Sequence, residues 1–292
     1  MQRRSVMLLQ KVIKNFIHYL TITNKSSETI KSYNSDLTTF ESFLEQKFNG
    51  PAYLKEIQAC DIEDYLYYLK QKNLTTSSRS RNLYTLRSLW NFAYKNKLCD
   101  WNIAMSVEPI KIQRKERTFL SLEEVTLLIA SIEHPLIEVV VQTLFYTGMR
   151  ISECLNLKLT DVDFDGNIIK ILNGKGGKDR NIPINKNLLP ILQDYIKNYR
   201  LTIDSDYFFA TEKSGHLSAP YVNRVLSDTV KKLGWKKHVS AHILRHSFAS
   251  NLIKNGVNLV YVQKLLGHSN LKVTSIYTHA NMEDLNESIN VL

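Results

Sequence analysis

Residues 104–118, AMSVEPIKIQRKERT, constrain the fold most. They contain Pro109, turn basic, and carry no sustained apolar period. Patterned sequence lies on both sides of them. At 292 residues the chain exceeds one ordinary core and suits two. The reading is a first domain over 1–103, an extended linker over 104–118, and a second domain over 119–292.

The first domain reads as four antiparallel helices with short connections, a small bundle. One helix carries Leu9, Val12 or Ile13, Phe16 and Leu20 on one face. In SETIKSYNSDLTTFESFLEQ, the residues Ile30, Tyr33, Leu37, Phe40, Phe43 and Leu44 recur at three and four, with Ser27 as N-cap. DIEDYLYYLKQK supplies a short third helix. The fourth, roughly 78–96, has Leu83, Leu86, Trp90 and Tyr94 on its stripe. Arg79, Arg81, Arg87 and Lys95 fall mainly off that stripe, free to face a partner.

The second domain opens with a helix at SLEEVTLLIASI, where Ser121 and Glu124 form a capping box. Helix continues through LIEVVVQTLFYTG. The period then changes. GNIIKILNGKGGKDRNIPIN holds two β-branched runs about a Gly- and Asn-rich centre, a β-hairpin signal. YFFA, residues 207–210, reads as the third strand, and helix resumes from about 219.

Charge bears on the partner. The net charge is +10, with 18 Lys and Arg against 11 Asp and Glu in residues 1–116 and 20 against 17 in the rest. A basic domain beside a nearly neutral one fits a polyanion such as nucleic acid, although charge alone leaves a purely solubilising role open. Lys111, Arg114 and Lys115 in the linker could follow a phosphate backbone. Three scattered cysteines, Cys60, Cys99 and Cys154, argue against a disulfide framework or a C-x-x-C zinc site, and each reads as a small buried hydrophobe. No apolar run approaches the ~18 to 20 residues that span a bilayer. Gln10, Lys11 and Lys14 interrupt the apolar start, so a signal peptide is rejected and the expected location is the cytoplasm.

Five polar features carry chemistry. In TGMRISE a helix ends at Gly148 and Arg150 opens the next. In NGKGGKDR, Lys175 sits at a glycine-rich hairpin tip, and no Ser, Thr or helix follows to make a phosphate-binding loop. In SAHILRHSFASNLI, Ser240 can cap a helix on which His242 and Arg245, three apart, share a face suited to an anionic oxygen. His242 and His246 have metal-ligand spacing, but Ile243 stands where H-E-x-x-H needs glutamate, so no metal is expected. LLGHSN places His268 after Gly267. Nine residues on, in TSIYTHA, comes Tyr277. Each feature alone has a plain reading as cap, turn or packing residue.

Their order resembles the catalytic signature of the tyrosine recombinases, or phage-integrase family, and TIKSYNSDLTTFESFL resembles that family's N-terminal core-binding domain. In length the chain is similar to the Xer-type members. The resemblance implies a mainly α protein: a four-helix SAM-like domain, then a mostly helical catalytic domain with a small three-stranded antiparallel sheet. It implies that Arg150 and Arg245 hold a scissile DNA phosphate. Lys175 would be the general acid, and His242 and His268 would bond the phosphate and manage protons. Glu153 would support Arg150, and Tyr277 would be the nucleophile. Cleavage without cofactor, metal or ATP would leave a 3′-phosphotyrosine, with strand exchange through a Holliday junction. The partners implied are specific sites in double-stranded DNA and further copies, a homotetramer or paired heterotetramer, joined by exchange of a C-terminal tail in which Met282, Leu285, Ile289 and Leu292 form a stripe. A nucleoid-associated protein follows. A catalytically silent DNA-binding protein and a type IB topoisomerase-like enzyme are the alternatives; Ala241, where many relatives have proline, is the one minor departure.

Overall fold

The computed structural model describes residues 7–112, 118–172, 179–200 and 204–267. The chain divides into two compact units, 1–115 and 116–292. Among the described residues, no helix is long and apolar enough to cross a membrane.

The first unit is the expected bundle: α1 (Leu9–Ile22), α2 (Ser27–Phe48), α3 (Ala59–Gln71) and α4 (Thr76–Lys95). Leu9, Val12, Ile13, Phe16 and Leu20 of α1 are all buried. Phe40 of α2 meets Tyr65 of α3 and Trp90 of α4 edge-on, with ring centroids 4.9 and 6.0 Å apart, a geometry that aromatic quadrupoles favour. The α2 cap is Ser26 rather than Ser27; its hydroxyl accepts the Thr29 N–H at 3.3 Å. On α4 the buried stripe runs Leu83, Leu86, Leu89, Trp90, Ala93. Tyr94 is exposed instead, because the face continues from Trp90 by three residues.

Two arginines of α4 serve the first unit itself. Arg81 Nη2 donates to Asp36 Oδ1 at 2.7 Å and Nη1 to Ser32 Oγ at 3.0 Å, although half of its side chain stays exposed. Buried Asp36 also accepts from the Thr85 hydroxyl at 3.0 Å. Burial pushes the Asp36 carboxyl up, against the pull of Thr85 and Arg81. Arg87 was expected to face a partner. It is half-buried, and donates from Nε to the Ala104 carbonyl (3.1 Å) and from Nη2 to that of Val107 (2.7 Å). Asn102 reinforces this by donating to the Arg87 carbonyl at 3.0 Å. Ala104 and Val107 thereby join the first core, with Ile110 packed against it. The stretch read as linker from 104 therefore begins as part of the first unit.

In the second unit, α5 (Leu122–Ala130) starts at the Ser121–Glu124 capping box. Then come α6 (Pro135–Thr147) and α7 (Ile151–Leu155). The strands are β1 (Val162–Asp163), β2 (Ile168–Ile171) and β3 (Arg180–Pro183). After them come α8 (Leu189–Asp194), which runs into a π-type turn, α9 (Ala219–Lys232), α10 (Ala241–Lys254) and α11 (Leu259–Leu266). The hairpin is β2–β3, with Ile169 opposite Ile182 and Ile171 opposite Arg180. The third strand is not YFFA but β1, with Val162 opposite Ile169. Its turn is closed by the Gly166 N–H donating to Asp163 Oδ1 at 2.8 Å. Tyr207 makes only an isolated bridge to Lys158. Phe208 and Phe209 are both fully buried, so this run plugs the core instead of alternating. A four-residue apolar run cannot by its period be told from such a plug. Of the cysteines, Cys154 is buried, Cys99 half-buried and Cys60 exposed, so the expected burial fails for Cys60.

Helix α10 is central, and from Leu244 to Asn251 every residue is buried. Ser247 and Asn251, two of its polar residues, are bonded to the backbone. Ser247 Oγ accepts the Leu120 N–H at 2.8 Å and donates to the Ile243 carbonyl at 2.8 Å. Asn251 donates to the Leu120 carbonyl at 2.9 Å. The backbone entering the second unit is thus held at both of Leu120's polar groups. Ser247→Ala strands a fully buried N–H and should cost about 1–3 kcal/mol. A lower urea midpoint with an unchanged denaturant slope checks this.

Candidate active site

The site begins where α6 stops. Gly148 adopts a left-handed backbone, φ +62°, and ends the helix as expected. A second reason reserves the position for glycine: a Cβ there would lie 2.2 Å from Phe248 Cδ1 of α10. Close contact of α6 and α10 and the sharp exit of the chain thus share one residue.

That exit delivers Arg150 to the N-cap of α7. Its backbone N–H donates to Glu153 Oε2 at 2.8 Å, and its Nη1 donates to Glu153 Oε1 at 2.7 Å. Arg180, the first residue of β3, meets the same carboxylate in a fork: Nη1 to Oε1 at 3.1 Å and Nη2 to Oε2 at 2.7 Å. Four donors therefore serve the two oxygens, about as many as a carboxylate has lone pairs to offer. The Glu153 side chain is only 8% exposed. Burial pushes its carboxyl up, but the hydrogen bonds and charges of Arg180 and Arg150 more than offset this and hold it at about 2.

Arg180 Nε also donates to the Leu265 carbonyl at 3.1 Å. Buried Arg245 of α10 takes the neighbouring carbonyl: Nη2 to Leu266 O at 2.7 Å, while its Nη1 donates to Gly148 O at 2.7 Å. The last carbonyls of α11 lack helical partners, and these arginines supply them. Gly267, φ +64°, closes α11 directly before His268.

At the start of α10, Ser240 occupies the N-cap, but its side chain makes no capping bond. The Ala241 N–H donates instead to Asn223 Oδ1 of α9 at 3.0 Å. His242 is exposed on the first turn, and its ring stands edge-on to that of His246 with centroids 5.2 Å apart. Among the described residues, no cluster of three or more His, Cys, Asp or Glu could hold a metal ion.

Of the expected site residues, the structure thus links Arg150, Glu153 and Arg245 through Gly148 and α11, with His242 one turn before Arg245 on α10. Lys175, His268 and Tyr277 lie outside the described residues, as do Arg114 and Lys115. In the first unit Arg79 is half-buried, its Nε buried and without a hydrogen-bond partner among the described residues. Lys111 is exposed. Sequence reasoning passed over Arg180 and Asn223. Arg180 had a readable signal: two residues before buried Ile182, it falls on the core-facing side of its strand.

This cluster sets three arginines against one carboxylate. Among the described residues Arg150's side chain has only Glu153 as partner, through one nitrogen, and is 24% exposed. Its remaining donors suit an anionic oxygen.

Comparison with known proteins gives the same direction. The chain matches the model described as phage integrase family over residues 118–284, and that of the phage integrase N-terminal SAM-like domain over 13–97. It is 34% identical over 281 residues to a tyrosine recombinase of Thermosipho africanus, covering 93% of this chain and 95% of that one. It is 32% identical to the tyrosine recombinase XerC of Bacillus subtilis, covering 95% and 94%. The solved structure of the XerH site-specific recombinase bound to a palindromic difH substrate superposes with a TM-score of 0.79 at 22% identity, over 97% of this chain and 95% of that one.

The Glu153 carboxyl, lowered from 4.5 to about 2, links the site to acid stability. Its contribution is fully present above about pH 4.5 and is lost as pH falls toward 2. Glu153→Gln should be less stable at pH 7 yet lose stability less steeply over that window, as urea midpoints across pH will read. A variant as steep as the wild type would contradict ionisation held by the two arginines.

Proposed function

The chain belongs to the phage integrase family, the tyrosine recombinases, and we propose that Tyr277 is its nucleophile, acting on a DNA phosphate held by Arg150 and Arg245. The protein is a site-specific DNA recombinase of the Xer-like tyrosine type. The observation that carries the residue assignment is the state of Arg150: one guanidinium nitrogen is fixed on Glu153, and no other described residue takes the rest.

Attack on a phosphodiester gathers negative charge on its non-bridging oxygens. Arginines stay cationic at any working pH and offer planar forks of donors to such oxygens. Preorganised donors of this kind are worth on the order of 10²- to 10³-fold each in rate. The Tyr277 hydroxyl, with a reference pKa of about 10, must lose its proton as the oxygen bonds to phosphorus. A histidine, His242 or His268, accepts that proton. The bond from phosphorus to the 5′ oxygen breaks, and Lys175 protonates the departing alkoxide. The product is a 3′-phosphotyrosine and a free 5′-hydroxyl. Attack by a 5′-hydroxyl from the partner duplex reverses the chemistry and reseals the strand with no outside energy source, passing through a Holliday junction.

The basic first unit supports a DNA footprint, with Arg79, Arg81 and Lys111 as its candidate contacts and Arg114 and Lys115 following on. Arg81 reaches a phosphate only with what Asp36 and Ser32 leave of its guanidinium. Work on paired sites requires several copies, and the stripe Met282, Leu285, Ile289, Leu292 supports a tail that one copy lends to the next in a tetramer. The expected location is the cytoplasm, at the nucleoid.

Target DNA carrying a nick or a bridging phosphorothiolate traps the intermediate. A covalent adduct on a denaturing gel should form with wild type and vanish in Tyr277→Phe. An adduct that persists in Tyr277→Phe identifies a different nucleophile. Truncation after Asn281 should impair multi-protomer assembly on DNA more than binding of a single copy; equal loss of both rules out tail exchange.

A further inference from the structure

Arg180 lies outside the residues assigned to phosphate, acid or nucleophile, yet it joins two elements of the site, α7 and the end of α11. All three of its guanidinium nitrogens are committed to protein acceptors: both Nη atoms to Glu153, Nε to Leu265 O. It opens β3, five residues after Lys175 in the sequence. Its stem lies against Gly267, where an added Cβ would come within 3.0 Å of Arg180 Cδ and 3.1 Å of Nε and Nη1.

We propose that Arg180 is a positioning residue for the recombination site: its guanidinium locks the Arg150–Glu153 pair to the last turn of α11, from which His268 follows. The proposal rests on the functional reading above and deepens it.

Three arguments carry the assignment. The first is geometric. Only a planar fork can serve two carboxylate oxygens and a carbonyl at once; a lysine ammonium is a single point. The second is topological. Arg180 and Arg245 bond successive carbonyls of α11, Leu265 and Leu266, and reach back to Glu153 and Gly148 on either side of Arg150. A closed ring results, running from Arg150 through Glu153, Arg180, the α11 end, Arg245 and Gly148 back to Arg150. Breaking it at Arg180 frees the α11 end from Glu153 and leaves Arg150 on a carboxylate with half its donors. The third is chemical. All three Arg180 nitrogens already bond protein acceptors, on Glu153 and on the end of α11, which is the work of a group that orients others.

The test compares Arg180→Gln and Arg180→Lys with wild type, together with Gly267→Ala, which presses on the Arg180 stem from the other side. Adduct formation on the nicked target should slow on the order of 10- to 100-fold in Arg180→Gln, the range typical when a group that orients a functional side chain is lost. The acid limb of its rate should move to higher pH, because Glu153 loses donors that keep it ionised. Arg180→Lys should recover part of the limb shift but little of the rate. DNA affinity at matched salt should stay within about twofold, since the charge lost is one that faces Glu153 and not a phosphate, which leaves counterion release unchanged. Without DNA, amide exchange over residues 259–267 should quicken in Arg180→Gln and in Gly267→Ala, while α10 stays protected.

A rate and acid limb like the wild type, or unchanged exchange over 259–267, overturns the proposal. So does a loss of DNA affinity that matches the loss of rate, which would make Arg180 a phosphate contact. If the wild type forms no adduct, the recombinase assignment of these residues falls instead, and exchange over 259–267 alone decides the role of Arg180.

Discussion

The second unit depends on one carboxylate. Glu153 is almost fully enclosed, and an enclosed charge without partners would cost several kcal/mol. It is tolerated because a backbone N–H and two guanidinium groups meet it at 2.7–3.1 Å. Coulombic attraction alone would not select this arrangement. The number of donors does, because each oxygen is served twice. Removing any donor leaves a buried lone pair unpaired, so the cluster resists partial disassembly. What it retains is a positive excess, with the outward edge of Arg150 as the place where that excess can be used.

The elements around this carboxylate explain why α10 looks so little like an ordinary surface helix. A surface helix separates apolar and polar faces. Helix α10 is enclosed on nearly every side from Leu244 to Asn251, so several of its polar residues bond protein groups instead of water. Arg245 donates to the carbonyls of Gly148 and Leu266, and Ser247 and Asn251 bond the backbone of Leu120. These bonds join segments far apart in sequence. The helix acts as a frame on which the α6 exit, the α11 end and the entering segment at Leu120 are hung, with Gly148 fitted closely against Phe248.

Local chemistry was legible in the sequence; long-range chemistry was not. The Gly148 stop, the Arg150 start, the Ser121–Glu124 capping box and the β2–β3 hairpin follow from rules spanning a few residues, and each was found. Tyr94 and Ser27 were off by one residue, a slip that helical periodicity permits. YFFA failed because two adjacent phenylalanines can be buried by plugging a core as well as by pairing in a sheet. Arg87 lies off the apolar stripe and turns to cap carbonyls of its own domain, bonds that no local pattern announces. Arg180 went unread because nothing local indicates that Glu153, 27 residues earlier, and Leu265, 85 residues later, would need it. The alternation of β3 showed only that it points inward.

The Arg150–Glu153 pair joins those two scales. Glu153 stands three residues inside α7, where its carboxylate accepts the N-cap N–H of Arg150, as the third helical residue of a capping box does. That local bond already sets the carboxylate beside the Arg150 side chain, at the spacing of neighbours on a helix. The five-residue α7 is too short to hold itself together by propensity. Its register must therefore be imposed from outside, and two anchors impose it: the Gly148 turn at its start and the Arg180 fork on its third residue. The spacing R-x-x-E specifies the pair, but only the tertiary anchors fix the direction in which the free edge of Arg150 points.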